Sequence, residues 1–292
     1  MTNVEPSLFD GTEYAPQPHK KIVNVASVPN RSPFRYPGGK TWLVPTIRKW
    51  LGGKSPKNLI EPFCGGGTVA LTAAAEGLVE KATMIEMDND VAAVWRVILD
   101  DGEWLARRIL EFNLTIESVA EITKSEPTTD KERAFATIIR NRTNHGGILA
   151  PGSGTLKRGE NGKGIASRWY PSTLAKRIRD IQTYREKITF IQGNAFDFFS
   201  PDTYNNDSYY FIDPPYTVAG KRLYSLSEVN HELLFEQTSK LNCHFLMTYD
   251  LSDYIIELAE KYNMDYRTIP MRTTHLVEKE ELLISNNFDW LQ

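Results

Sequence analysis

The sequence predicts a doubly wound α/β fold, and three segments carry that expectation. Each is a short apolar run suited to a buried strand, and each ends in groups suited to chemistry. Leu59-Ile60 runs into Glu61-Pro62-Phe63-Cys64-Gly65-Gly66-Gly67 and then a helix-forming stretch, Thr68 to Glu76, that stops at Gly77. Ala82 to Ile85 ends at Glu86. Tyr209-Tyr210-Phe211-Ile212 ends at Asp213-Pro214-Pro215-Tyr216. Helical patterns separate these runs. A mostly parallel sheet with helices on both faces is therefore expected, with ligand groups at the C-terminal ends of its strands.

In chain order, residues 1–30 are polar and carry Pro6, Pro16, Pro18 and Pro29, which predicts a flexible arm. Phe34-Arg35-Tyr36-Pro37-Gly38-Gly39-Lys40 makes a turn that holds an aromatic and a lysine four residues apart, ahead of a helix from Thr41 to Leu51. The loop after the first strand is neither a Walker A loop nor a Gly-x-Gly-x-x-Gly fingerprint. Its glycines let backbone approach a ligand closely at a helix N-terminus. Glu61 at the mouth of that loop would be unwelcome beside a pyrophosphate and welcome beside a cationic cofactor. Glu86 stands where α/β nucleotide folds place the acid that holds two ribose hydroxyls, with Asp88 the second choice. Asp88 or Asn89 is expected to cap the next helix, Asp90 to Leu99.

The stretch from Gly102 to about Glu126 is mixed helical and acidic, and Asp130 to Thr143 reads as a helix with Ala134, Ile138 and Ile139 on one face. A glycine-rich run follows over residues 144–170, with Lys157, Arg158, Lys163 and Arg168 against one acid, Glu160. A loop of that length is functional or disordered in most compact domains. A helix is expected next, Pro171 to Lys187, with Lys176, Arg177, Arg179 and Arg185 as further phosphate candidates.

Asp213-Pro214-Pro215-Tyr216 cannot continue a strand, because each proline fixes its φ and lacks an N–H. The resulting turn offers one carboxylate, one backbone carbonyl without a ladder partner, and one aromatic face. That set suits a planar ring bearing an amino group. The bland alternative is a proline-stiffened acidic loop.

Composition narrows the classes. Apolar content of 41% and charge of 24% describe a globular protein, and no run approaches the length needed to span a bilayer. Glu5 and Asp10 near the N-terminus argue against a signal peptide. Cys64 and Cys243 have no metal-ligand spacing and suit a reducing compartment. The net charge of −3 leaves room for a local basic face. His231-Glu232-Leu233-Leu234-Phe235 lacks the second histidine of a zinc-protease motif and reads as an ordinary helix.

In this order the motifs resemble the Dam-like DNA adenine-N6 methyltransferases: Tyr36-Pro37-Gly38-Gly39-Lys40, Glu61 to Gly67, Glu86, and Asp213 to Tyr216. The similarity runs over residues 31–288, and Phe245 to Asp250 and Glu280 to Asn286 look like the family's last strands, which implies an antiparallel edge near Glu281 to Ser285. Tyr36 and Glu86 stand where the family often has tryptophan and aspartate. The resemblance implies an α/β, doubly wound methyltransferase sheet with a smaller, mainly helical DNA-recognition subdomain inserted. The catalytic domain would span 31–95 and 188–292, and the target-recognition subdomain 96–187. It implies S-adenosylmethionine as methyl donor to the N6 amine of a flipped-out adenine in double-stranded DNA, without a metal. Cofactor contacts would fall at Tyr36, Lys40, Glu61, Phe63, Gly65, Glu86, Asn194 and Asp213. Catalysis would fall to Asp213, Pro214 and Tyr216, and DNA binding to Lys157, Arg158, Lys163 and Arg168. A monomer in a bacterial or phage-related cytoplasm is expected, with a restriction endonuclease of the same site as a candidate partner. Two rivals are an amine methyltransferase acting on protein or RNA, and a catalytically silent DNA-binding relative. The basic insert and the Gly-Gly-Lys segment favour DNA. Intact Asp213, Tyr216 and glycine loop count against the silent relative.

Overall fold

A computed structural model describes residues 28–35, 38–54, 56–157, 159, 162–199, 207–216, 229–272 and 278–291. Seven strands form one sheet: β1 (Asn58–Glu61), β2 (Lys81–Glu86), β3 (Ile188–Gln192), β4 (Ser208–Ile212), β5 (His244–Asp250), β6 (Asp265–Arg272) and β7 (Glu278–Ser285). Their order is β3-β2-β1-β4-β5-β7-β6. The first five are mutually parallel, and β7 runs antiparallel to both β5 and β6. The mostly parallel α/β sheet expected from the sequence is therefore present.

One expectation needs correction. The antiparallel strand around Glu281 to Ser285 is not the edge; β7 lies between β5 and β6, and β6 is the edge. The reason is chemical. Leu282, Leu283 and Ile284 are fully buried in succession, which requires cover on both faces. Pro270 in β6 cannot donate to a second neighbour and belongs at an edge.

Alternation along the strands divides the core. Leu59, Met84, Phe211, Leu246 and Leu283 face α1 (Val44–Leu51), α2 (Thr68–Glu76) and α3 (Asn89–Glu111). Ile60, Ile85, Ile212, Met247 and Ile284 face the other way, with Leu234 and Ile255 of two later helices, α7 (His231–Ser239) and α8 (Asp253–Lys261).

The intervening helices are α4 (Ile116–Lys124), α5 (Asp130–Thr143) and α6 (Pro171–Gln182). α5 starts on a capping box in which Thr129 and Glu132 each accept the other's backbone N–H. The helix expected over 90–99 continues to Glu111 through a kink at Asp101, whose side chain accepts Trp104 N–H at 3.3 Å and restarts the helix. α6 ends at Gln182, short of the predicted Lys187, and a 3-10 turn covers Arg185–Lys187. Leu105, Ile109, Ile138, Leu174 and Ile178 of these helices belong to the same apolar cluster as Leu59 and Phe211. The helical layer over 96–187 thus shares the core of the sheet, and the boundary placed at 96 falls inside α3.

Candidate active site

A cleft opens at the C-terminal ends of β1, β2 and β4, where the three sequence motifs converge. Its floor is the glycine loop. Gly67 has φ of +61°, which side chains rarely adopt, and a Cβ there would meet Met84 Cε at 2.6 Å, so Met84 would have to shift. Trp95 Nε1 donates to Gly65 O at 2.8 Å and pins the loop from below.

Glu86 ends β2 with both carboxylate oxygens engaged. Oε2 accepts Gly65 N–H at 3.0 Å, and Oε1 accepts Asp88 N–H at 2.9 Å. Each oxygen keeps further acceptor capacity. Burial pushes this carboxyl up to about 7, with the Asp88 and Gly65 N–H groups opposing. Asp88 caps α3, accepting from Asp90 and Val91 N–H at 2.8 and 3.2 Å. Glu61 lines the cleft but is 3% exposed, and it accepts Ala70 N–H at 2.8 Å in the first turn of α2. Burial pushes its carboxyl up to about 8, with the Ala70 N–H opposing and nearby Asp213 adding to the rise.

Asp213, at the end of β4, is clamped through one oxygen. Its Oδ1 takes the Lys40 ammonium at 3.0 Å and the Thr248 hydroxyl at 2.7 Å. Oδ2 has no partner among the described residues, and Asp213 lines the cleft. Lys40 is almost fully buried. Its Nζ also donates to Gly38 O at 3.1 Å and Tyr216 Oη at 2.8 Å, and lies 3.7 Å from Glu281. Tyr216 O–H in turn donates to Glu281 at 3.1 Å, and its ring stacks on Tyr249 with centroids 5.9 Å apart. Burial pushes the Glu281 carboxyl up, with the Lys40 ammonium opposing. Pro214 is buried, and its carbonyl has no hydrogen-bond partner among the described residues. Thr248, Tyr249 and Glu281 carry no motif signal. The sequence offers only their strand-like surroundings; Thr248 and Tyr249 reach the site through the pairing of β4 with β5, and Glu281 through that of β5 with β7.

A similarity to family models decides what this cleft belongs to. Residues 36–264, most of the chain, match the model of the D12 class N6 adenine-specific DNA methyltransferases. The chain belongs to that family. It is an adenine-specific DNA methyltransferase dependent on S-adenosylmethionine. No curated protein sequence matches the chain. Similar solved structures include a precorrin-6y C5,15-methyltransferase from Geobacter metallireducens, at 10% identity and TM-score 0.39, covering 94% of each chain. A putative RNA methyltransferase from Pyrococcus horikoshii matches at 8% identity and TM-score 0.40, covering 86% of this chain and 84% of that one. The rRNA methyltransferase aviRa from Streptomyces viridochromogenes matches at 12% identity and TM-score 0.36, covering 86% of each.

The cofactor's chemistry fits the cleft of this methyltransferase. Glu61, Glu86, Asp88 and Asp213 set four acidic side chains against one lysine along its wall, with Glu61 and Glu86 held by burial toward their neutral forms, so the wall is acidic but only partly charged. Phe63 and Phe196 meet edge to face at 6.4 Å and give it an apolar side. Asn194 stands beside them and caps the turn Ala195–Phe198 by accepting Phe196 N–H. Among the described residues no group of three or more His, Cys, Asp or Glu could hold a metal ion, and no helix is long and apolar enough to cross a membrane. Cys64 and Cys243 are buried and unpaired.

The glycine-rich insert begins as a closed loop. Leu156 N–H donates to Thr143 O at 2.7 Å, and His145 N–H to Gly154 O at 3.0 Å. Gly147 and Leu149 from this loop reach the cleft wall. Lys157 and Lys163 are exposed, and Arg168 is half-buried at the end of the 3-10 turn Gly164–Arg168. Tyr36 and Arg158 lie outside the described residues, as does the arm over 1–27.

Proposed function

We propose that the methyltransferase acts on an adenine turned out of the duplex, with its N6 amine against Asp213 Oδ2 and the Pro214 carbonyl. The asymmetry of Asp213 carries this reading: one oxygen is fixed by Lys40 and Thr248, and the other stays open to the cleft. An adenine amine is a poor nucleophile, because its lone pair is delocalised into the ring. Two acceptors taking its two hydrogens favour a pyramidal nitrogen with its lone pair free. S-adenosylmethionine supplies, when bound, a methyl group on a cationic sulfur. The chain's part is positioning and electrostatics. The nitrogen sheds a proton as it gains the methyl group, and Asp213 Oδ2 is the acceptor the chain provides. A stacked base cannot reach the bottom of such a cleft, so the target has to leave the helix. Tyr216, fixed by Lys40, Glu281 and Tyr249, serves as the stacking face for it.

The same reading gives Glu86 the ribose hydroxyls, the loop around Gly65 the methionine portion, and Asn194 and Phe63 the adenine end of the cofactor. It gives DNA reading to residues 96–187, with Lys157, Arg158, Lys163 and Arg168 on phosphates. The approach of Gly147 and Leu149 to the cleft supports that division. The decisive experiment is sequencing of modified bases in DNA from cells expressing the wild-type enzyme or Asp213→Ala. N6-methyladenine at one motif in the first and none in the second is expected. Persistent modification with Asp213→Ala, or methyl groups found only on cytosine, would refute the assignment.

A further inference from the structure

The strap of chain that leads into Lys40 is gripped residue by residue from the neighbouring helices. Ser32 O accepts Arg177 Nη1 of α6 at 3.0 Å, and Pro33 O accepts Arg142 Nη2 of α5. The buried Phe34 ring packs on Trp95 of α3 with centroids 5.7 Å apart. Arg35 is held through both of its backbone groups. Its N–H donates to Asn141 Oδ1 at 2.8 Å, and its carbonyl accepts from Asn141 Nδ2 at 2.9 Å. Three residues further on, Gly38 O takes the Lys40 ammonium at 3.1 Å.

Asn141 also reaches the insert. Its Nδ2 donates to Gly147 O at 2.8 Å, and Gly147 lies so near the strap that a Cβ on it would stand 2.5 Å from Arg35 O. Asn141 sits in the last turn of α5 and is fully buried, and these three bonds all leave its own helix for two irregular segments. An aliphatic residue would fill this place without the cost of burying an amide. The amide is explained by what it joins. Asn144, three residues on, donates through Nδ2 to Ile148 O at 2.9 Å and keeps the root of the insert closed around Gly147.

Both joined segments end in the cleft. Gly38, Gly39 and Lys40 line it from the strap, and Gly147 and Leu149 from the insert. Lys40 in turn holds Asp213 Oδ1 at 3.0 Å. We propose that Asn141 is a positioning residue for methyl transfer. It sets the root of the insert against the strap and, through the strap, the place of Lys40 and of the carboxylate that Lys40 orients. The inference rests on the reading of Asp213 given above. Misplacing a reacting group by about 1 Å can cost on the order of a hundredfold in rate, so a hydrogen bond remote from the chemistry can govern it.

The test is a double-mutant cycle with Thr248, which shares Asp213 Oδ1 with Lys40. Full-length enzyme transfers labelled methyl to a duplex containing the motif found by sequencing. Both substrates are saturating, and the temperature lies below the melting transition of every variant. Either Lys40 or Thr248 alone keeps a hold on the carboxylate. Asn141→Ala combined with Thr248→Val is therefore expected to lower kcat by about threefold or more beyond the product of the two single losses. Arg140→Ala is the control. It removes from the same helix the 2.8 Å pair with Asp90, and its effect should simply multiply with that of Thr248→Val. Asn141→Asp keeps the volume and the acceptor for Arg35 N–H but loses both donations. It should show the same excess, and it stands in for alanine if that variant does not fold. Losses that merely multiply, in folded enzyme with a lower melting temperature, would reduce Asn141 to a staple of α5 and overturn the proposal. An equal excess with Arg140→Ala would trace the effect to loosened packing and overturn it as well. Undiminished transfer by Asp213→Ala would reject the reading of that carboxylate and the positioning role with it. Multiplying losses beside an inactive Asp213→Ala reject the positioning role alone.

Discussion

Thr248→Val isolates the clamp on Asp213 with little steric change. Thr248 is fully buried in β5, and valine replaces its hydroxyl by a methyl group of similar size. The substitution removes the 2.7 Å hydrogen bond to Asp213 Oδ1 and leaves the 3.0 Å Lys40 pair on that oxygen. A hydrogen bond to a charged group contributes about 1.5–3 kcal/mol. Full loss from the transition state would lower kcat by about 10- to 150-fold at about 1.4 kcal/mol per factor of ten. Lys40 still holds the carboxylate, so the low end, about tenfold, is expected. Transfer of labelled methyl to duplex DNA, with both substrates saturating, measures it. KM for the cofactor should change little, and Thr248→Ser should recover most of the rate, because its hydroxyl restores the donor. A Thr248→Val enzyme within about twofold of wild-type kcat would show that Lys40 alone orients Asp213.

Other outcomes follow from the carboxylates and the loop. If ribose hydroxyls donate to Glu86, cofactor affinity should rise as pH increases through about 7, where the carboxyl ionises, and the rise should vanish in Glu86→Gln; calorimetry at several pH values checks this. Glu61 is held up at about 8 against 4.5 for its free form, so between those values the folded chain keeps a proton that the unfolded chain releases. Its contribution to stability therefore falls with rising pH, by up to about 1.4 kcal/mol per unit, and levels off above about 8. Urea melts across that range should show a flatter pH dependence for Glu61→Gln. Gly67→Ala must shift Met84 and adopt a left-handed φ, so it should lose about 1–3 kcal/mol of stability and weaken cofactor binding, both readable from thermal melts with and without S-adenosylhomocysteine.

Local chemistry explains what could be read in advance. The helix Thr68–Glu76 and the strands behind Glu86 and Asp213 are announced by short apolar runs with abrupt ends, so their bounds and their convergence in one sheet were legible. The place of Lys40 was suggested by Gly38-Gly39, but its burial between Asp213 and Glu281 was not, since a lysine normally reads as solvent-facing. Thr248 becomes a site residue through the pairing of β4 with β5, and Glu281 through that of β5 with β7, registers no local pattern encodes. The same holds for the position of β7 inside the sheet, although Pro270 was a usable hint. The sequence places Glu61 at the loop mouth; its engagement with the α2 N-terminus depends on how tightly the glycine loop folds back.

The insertion of β7 between β5 and β6 has a consequence for the order of assembly. Glycine loop, Glu86 and the helices around them come from one continuous stretch of chain and can form as it emerges during synthesis. The tyrosine–lysine–glutamate clasp joins positions separated by 176 and by 65 residues, and it closes only when β7 has slotted between two strands already made. Long-range pairings of this kind form late, after loop-closure entropy has been overcome. A nascent chain would thus form the glycine loop and Glu86 before the Asp213 to Tyr216 turn is locked by Lys40 and Glu281, so the completed cleft would be one of the last things to form.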